Sequence, residues 1–266
     1  RLDYTLQTLN EEILNYIEKR KEIANYILDY RKNFIEEHKD DEDALMEYFD
    51  HERYVKEESY KQIDKKLMEL TKLKETPYFG KVIFSDEDEC QEEIYVGRYG
   101  LTKDATFENV IIDWRAPIAS LFYKGSLGPA TYKTPDGELP ADILARRQFV
   151  IKKGSLQGYF DSEVDVKDEI LQMILSSNSG EKLKDIVMTI QQEQDDIIRE
   201  ERMKVVVVNG VAGSGKTTIA LHRVAYLLYN YRQQLGNKVL VLGPNDIFVD
   251  YISEILPTLG ESDVAE

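Results

Sequence analysis

The chain has 266 residues, enough for two or three domains, and it is acidic, with a net charge of -16 and a pI of about 4.8. A field of that sign repels nucleic acid at long range, so DNA or RNA contact would need a local basic patch, and none of size is present. A single cysteine, Cys90, excludes an internal disulfide and a cysteine metal cluster; no apolar run approaches the roughly 20 residues that cross a bilayer; and Arg1-Leu2-Asp3-Tyr4 does not read as a signal peptide, so a cytoplasmic, reducing setting and a monomer are expected.

Residues 2–75 hold no Gly or Pro. Apolar residues recur there three and four apart: Leu6, Leu9, Ile13, Tyr16, Ile17, Ile23, Ile27, Tyr30 and Phe34, then Leu45, Phe49, Ile63, Leu67, Leu70 and Leu73. One stripe on each side of the charged break at residues 38–43 predicts an antiparallel helical hairpin, a coiled coil over residues 1–76, with arms on the order of 45 Å. Its tip clusters Glu36, Glu37, Asp40, Asp41, Glu42 and Asp43, offset locally only by Lys39 and Arg53. Such a run is ordinarily a solvated turn. On a long, thin hairpin it also suits entry into a channel, where carboxylates can approach a bound Mg²⁺, and Asp40, Asp41, Glu42 and Asp43 are the candidate partner-binding residues.

Pro77 and Gly80 end the helical pattern. Strand-like runs follow at Lys81–Phe84, Glu93–Val96, Asn109–Trp114, Ala119–Tyr123, Ala130–Tyr132 and Gln148–Lys152, separated by turn signals such as Gly128-Pro129 and Pro135-Asp136-Gly137. They predict a small, mostly antiparallel β-rich module over residues 77–164. The acidic stretch Ser85–Glu93 reads as a solvated hairpin loop, and Asp113-Trp114-Arg115-Ala116-Pro117 as an ion pair packed under the only Trp at a domain junction rather than as a substrate clamp. The three histidines, His38, His51 and His222, are far apart, and no hydrolase triad stands out.

Helices are expected over 165–177 and 181–202, joined by a Ser/Asn/Gly linker. The apolar run Val205–Val208 then reads as a buried parallel strand, and the amphipathic run Ile219–Leu228 as a helix. Between them stands Gly210-Val211-Ala212-Gly213-Ser214-Gly215-Lys216-Thr217-Thr218, the G-x-x-x-x-G-K-T pattern in its strand-to-helix context. Glycines let backbone N–H groups close on phosphate oxygens, and the helix N-terminus adds its positive end. Lys216 is expected to reach the β- and γ-phosphates and the Thr217 hydroxyl to bind Mg²⁺, which makes these two the catalytic candidates and residues 210–218 the nucleotide-binding loop. Lys238–Leu242 predicts a second buried strand, closing a right-handed β-α-β unit with Gly243-Pro244-Asn245 at the ligand edge of the sheet. The fold class expected is therefore multi-domain α/β: a hairpin, a β-rich module, and the start of a RecA-like P-loop domain over residues 165–266.

With Gln194 ahead of this loop and the second strand after it, the C-terminal part resembles the start of a superfamily 1 helicase motor of the UvrD/Rep type. In that family such a Gln reads the adenine edge, and Gln194 matches in position. Gly243-Pro244-Asn245 lacks the basic and aromatic residues with which that family contacts single strands. Over essentially the whole chain the sequence is similar to the HelD family of RNA polymerase-associated, UvrD-like ATPases of Gram-positive bacteria. The similarity rests on the hairpin, Pro77–Gly80, Tyr95–Arg98, Ile112–Pro117, Gly210–Arg223 and Tyr251–Glu261. It implies ATP and Mg²⁺ as cofactors, core RNA polymerase as partner, a hairpin that enters the polymerase secondary channel, and ATP turnover that releases stalled polymerase from nucleic acid. No Asp-Glu pair on a later strand is present to hold Mg²⁺, so this stretch by itself is expected not to hydrolyse ATP; nucleic-acid contact would fall to further C-terminal domains. Two other readings remain at this point: a 3'-5' DNA helicase translocating on single-stranded DNA, and an interaction module whose loop is idle.

Overall fold

Helix α1 runs unbroken from Leu2 to Glu37, 36 residues or on the order of 54 Å, and α2 from His51 to Glu75. The computed structural model describes residues 1–37, 51–86, 90–124, 126–135, 137–161, 190–211, 213–235 and 238–259. Asp40, Asp41, Glu42 and Asp43 therefore lie outside the described residues, as do residues 165–177, where a helix is expected. Arg31 pairs with Glu57 at 2.9 Å, while Arg20 pairs with Asp64 at 3.0 Å and bonds the Tyr60 hydroxyl, so the two helices run antiparallel as the stripes predict. Among the described residues, only the base of the hairpin is covered by a third element. Thr5, Thr8, Leu9 and Glu12 on α1, and Leu70 and Leu73 on α2, are its buried residues, whereas Leu28 and Ile35 further out are more than half exposed.

The β-rich module is a seven-stranded sheet of β1 (Gly80–Ser85), β2 (Gln91–Gly97), β3 (Leu101–Lys103), β4 (Glu108–Asp113), β5 (Gly128–Thr134), β6 (Gly137–Lys152) and β7 (Ser155–Asp161). Its order is β3-β4-β2-β1-β6-β5, with β7 also on β6; the pairs are antiparallel except β2 with β4, which is parallel. The expected strand at Ala119–Tyr123 is instead a 3₁₀ turn at Pro117–Ala119 running into α3 (Ser120–Tyr123). Pro117 at the first helical position pre-sets φ there, and every side chain from Ala119 to Tyr123 is buried, so the run carries no alternation to tell strand from helix.

Both faces of the sheet are covered, by different partners. Phe79, Val82, Phe84, Ile94, Val96, Ala141 and Ile143 pack into a core with Trp114 and three C-terminal helices, α4 (Gln192–Ile198), α5 (Lys216–Leu235) and α6 (Asp246–Ile255). On the other face Tyr78, Tyr95, Tyr99, Leu101, Val110, Ile111, Phe149 and Ile151 pack against Leu9, Leu70 and Leu73 of the hairpin. A bulge in β6 lets that one long strand serve both. Ile83 stands opposite Ala145 and Phe84 opposite Ile143, so Leu144 is extra. One extra residue flips every later side chain. Ala141 and Ile143 accordingly face the helices, and Phe149 and Ile151 face the hairpin.

Polar contacts fix the hairpin in place. Lys19 pairs with Asp104 at 2.7 Å, the Asp104 N–H donates to Glu12, Tyr4 donates to Glu108 at 2.7 Å, and Lys66 donates to the Gly100 carbonyl. The helix expected to end at Arg202 ends at Ile198, where the Arg199 N–H turns back to the carbonyls of Asp195 and Ile197. The strands expected at Val205–Val208 and Lys238–Leu242 carry no ladder among the described residues beyond a single bridge residue, Leu240. Val205, Val207, Leu240 and Leu242 are 63–86 % exposed, whereas an interior parallel strand is covered on both faces.

The hairpin base should carry the stability of the arm. Leu70→Ala is expected to destabilise the protein by about 2–5 kcal/mol and the half-exposed Leu28→Ala by no more than about 0.5 kcal/mol, read as shifts of the urea unfolding midpoint at constant slope.

Candidate functional site

The loop before α5 is shaped by two left-handed glycines, Gly213 at φ +83° and Gly215 at φ +80°. A Cβ at either would meet nothing within 4 Å, so backbone conformation and not crowding calls for glycine. The Ser214 N–H donates to the Val211 carbonyl, and the Ile219 N–H to Gly215, the first helical bond of α5. Lys216 is the first residue of the helix, and its ammonium folds back over the loop to donate to the carbonyls of Gly210 (3.0 Å) and Val211 (2.7 Å). Thr217 and Thr218 follow, half-buried in the first turn. The first N–H groups of a helix have no intrahelical acceptor and carry partial positive charge. With the lysine beside them they form a site for an anion, and a charged oxygen competes favourably with the neutral carbonyls that now hold the ammonium.

Gln194 stands on α4. Its Oε1 accepts the Gln191 N–H at 3.0 Å in a reciprocal capping box, which orients the side-chain amide and leaves its NH₂ and a second oxygen lone pair to meet a planar donor–acceptor edge. The next residue, Asp195, is buried and bonds Arg199 one turn later at 2.7 Å. Burial pushes the Asp195 carboxyl above its ordinary range, and the Arg199 charge opposes that shift without cancelling it. Arg199 also donates to the carbonyls of Trp114 (2.6 Å) and Ala116 (3.1 Å), and its guanidinium lies near the rings of Tyr123 and Tyr226. Arg223, on α5, donates to the Ile197 carbonyl at 2.6 Å and the Ile198 carbonyl at 3.5 Å, capping the C-terminal end of α4. The helices bearing Gln194 and Lys216 are thus brought together. Asn245, placed by sequence at a ligand edge, caps α6 by accepting the Phe248 N–H.

The Trp114 turn is the seam between sheet and helices. Arg115 grips Asp113 through two hydrogen bonds of 2.9 and 2.8 Å, both residues being nearly inaccessible, and donates to the Leu259 carbonyl. Asn230 of α5 donates to the Arg115 carbonyl. At one edge Glu201 accepts from Tyr226 of α5 and Lys133 of β5. Burial works against the Glu201 charge, but hydrogen bonds from Tyr226, Lys133 and Tyr231 outweigh it and hold the carboxyl below its ordinary value. His222 packs edge-on to Trp114, with ring centroids 5.4 Å apart. Its Nδ1 meets the Thr218 carbonyl at 2.7 Å and so carries the proton, while Nε2 and the Trp114 indole N–H are buried without a partner among the described residues. The sequence reading missed Arg199 and Arg223. The Asp195/Arg199 spacing is a visible helix pair, but nothing in the sequence tells that Arg223 meets helix-end carbonyls.

Residues 7–173 match the family described as DNA helicase IV HelD, N-terminal domain. That range takes in the hairpin and the sheet and ends before Gln194 and the 210–218 loop. A comparison with curated proteins finds no match. No helix among the described residues is long and apolar enough to cross a membrane.

Burial lowers the His222 pKa from 6.5 to about 4, so the folded state holds the ring neutral. The stability this gives is fully present above pH 6.5 and is lost as pH falls toward 4, by on the order of 3 kcal/mol. Chemical unfolding followed between pH 7 and 4.5 should show that loss, and His222→Gln should flatten the profile over this window.

Proposed function

The chain belongs to the DNA helicase IV HelD N-terminal-domain family, and from that premise we propose that it is the N-terminal part of an ATP-driven factor that binds RNA polymerase and releases it from nucleic acid. The observation that carries this reading is the placement of Lys216 at the head of α5, its ammonium directed over a loop with two left-handed glycines. In this proposal residues 1–76 form the polymerase-binding hairpin, 77–164 the β-rich module and 165–266 the start of a RecA-like P-loop domain. The loop's glycines and lysine suit the phosphates of a nucleoside triphosphate. Gly210 to Thr218 would surround the phosphates, with Lys216 their counter-charge and Thr217 the Mg²⁺ ligand, while Gln194 would meet the adenine edge. Bound ATP with Mg²⁺ would supply the phosphoryl-transfer chemistry, and the residues named here would bind and orient it.

The hairpin suits insertion into a confined channel because, among the described residues, nothing packs on the two helices beyond their firmly docked base. Its acidic end, with Asp40, Asp41, Glu42 and Asp43, suits basic protein surface or a bound metal ion. The cytoplasm, where core polymerase works, is the compartment this function requires. A second reading, a 3'-5' DNA helicase, is favoured by the family's own description as a DNA helicase. The net charge of -16 speaks against DNA tracking by this part of the protein.

Two measurements test the proposal. In the full-length protein Lys216→Ala should lower ATP hydrolysis by about 100-fold or more and abolish polymerase release; unchanged release would refute an ATP-driven mechanism. Core polymerase should be retained by this chain in a pull-down, more weakly at 0.5 M than at 0.1 M salt, as screening by a Debye length of about 10 Å at 0.1 M requires. Changing Asp40, Asp41, Glu42 and Asp43 to Asn or Gln should release it. No polymerase binding, together with tight binding of single-stranded DNA, would favour the helicase reading.

A further inference from the structure

Arg223 lies seven residues after Lys216 on α5, about two helical turns, so both residues share one face of that helix. At one end of the face Lys216 covers the glycine loop; at the other the Arg223 guanidinium donates to the carbonyls of Ile197 and Ile198. Those carbonyls close α4 one turn beyond Gln194. A cation on the last carbonyls of a helix is a favourable, directional contact, and the five donors of the planar guanidinium cannot swing freely once bound. A second arginine holds α4 as well, since Arg199 bonds Asp195 and donates to the Trp114 and Ala116 carbonyls. A helix of seven residues has too few internal bonds to hold its own position, so these two arginines decide where Gln194 stands relative to the loop.

We propose that Arg223 is a positioning residue for base recognition: by capping α4 from α5 it sets the offset between Gln194 and the Lys216 loop, so that a purine nucleotide held by its phosphates presents its base edge to the Gln194 amide. The proposal rests on the nucleotide-binding reading above and adds to it the source of adenine selectivity. Removing Arg223 leaves the glycine loop and Lys216 intact but frees the end of α4, so base discrimination is lost while phosphate binding stays. A residue needed only for folding would lower both together.

The test uses the full-length protein and three probes, ATP, GTP and tripolyphosphate, with binding measured by calorimetry for the parent, Gln194→Ala, Arg223→Met, Arg223→Lys and the double variant Gln194→Ala/Arg223→Met. Gln194→Ala and Arg223→Met should each lower the ATP-to-GTP affinity ratio by about fivefold or more, the loss of one oriented hydrogen bond, with tripolyphosphate affinity within about twofold of the parent. Arg223→Lys, which keeps a cation at the helix end, should retain most of the ratio. The double variant should be no less selective than either single one, because both act through the same contact. A parental ratio in Arg223→Met beside a collapsed ratio in Gln194→Ala overturns the positioning role and leaves the nucleotide site standing. An equal fall in ATP and tripolyphosphate binding overturns it as well. A parent that binds none of the probes, or a Gln194→Ala variant that keeps its selectivity, overturns the underlying reading and this inference with it.

Discussion

Arg199 places a permanently charged guanidinium where only 9 % of the residue is exposed, and the arrangement of the C-terminal half follows from how that charge is satisfied. A buried cation is tolerable only with a partner and a full set of hydrogen bonds; breaking such a pair typically costs about 3–5 kcal/mol. Asp195 supplies the counter-charge, Trp114 and Ala116 supply carbonyls, and Tyr123 and Tyr226 supply aromatic surface. These partners come from α4, from the turn after β4, from α3 and from α5. One side chain therefore joins four separate pieces of the chain, and none can move far without exposing the rest to an unsatisfied charge.

The sheet is the second constraint. A sheet with one wet face needs only alternating polarity, but this one is apolar on both sides along β2 and β6. Ile94 and Val96 point toward the helices, while Tyr95 between them points toward the hairpin. The bulge at Leu144 extends this two-sided use to a single strand. The hairpin base and the helix that begins with Lys216 are thus held on opposite faces of one continuous layer. A shift of α5 against Trp114 bears on β4, which pairs with β2 through Val96 and Gly97, and so on the surface that grips Leu9, Leu70 and Leu73.

Much of this was legible from local pattern. A stretch from residue 2 to residue 75 free of Gly and Pro, with three-four spacing, specifies two helices, and the ion pairs Arg31–Glu57 and Arg20–Asp64 settle their antiparallel course. The runs at residues 81–84, 93–96, 130–132 and 148–152 fall in strands, and the run 109–114 does so up to Asp113, since β-branched and aromatic residues between turn signals have few alternatives. The Asp113-Trp114-Arg115 reading as a buried ion pair beside a Trp agrees with the geometry. The five-residue apolar run Ala119–Tyr123 reads as a strand because full burial erases periodicity, while the short β3, the first half of β6 and β7 carry too weak a pattern to be placed.

By itself the sequence determined the two helices of the hairpin, most strand runs of the β-rich module and the glycine loop with its lysine, because each depends on residues near one another in the chain: helical spacing, turn chemistry, and the positive φ that Gly213 and Gly215 adopt. Tertiary structure alone decided which face of the sheet each helix covers, because a single extra residue, Leu144, reverses the facing of all that follows. It also decided the partners of Arg199 and Arg223. Every residue offers a carbonyl, so composition cannot say which one a guanidinium will find; only the packed positions of Trp114, Ala116, Ile197 and Ile198 select it. The strand-like runs at 205–208 and 238–242 show the same limit from the other side: β-branched sequence favours extended backbone, but a strand exists only where a neighbour accepts its hydrogen bonds.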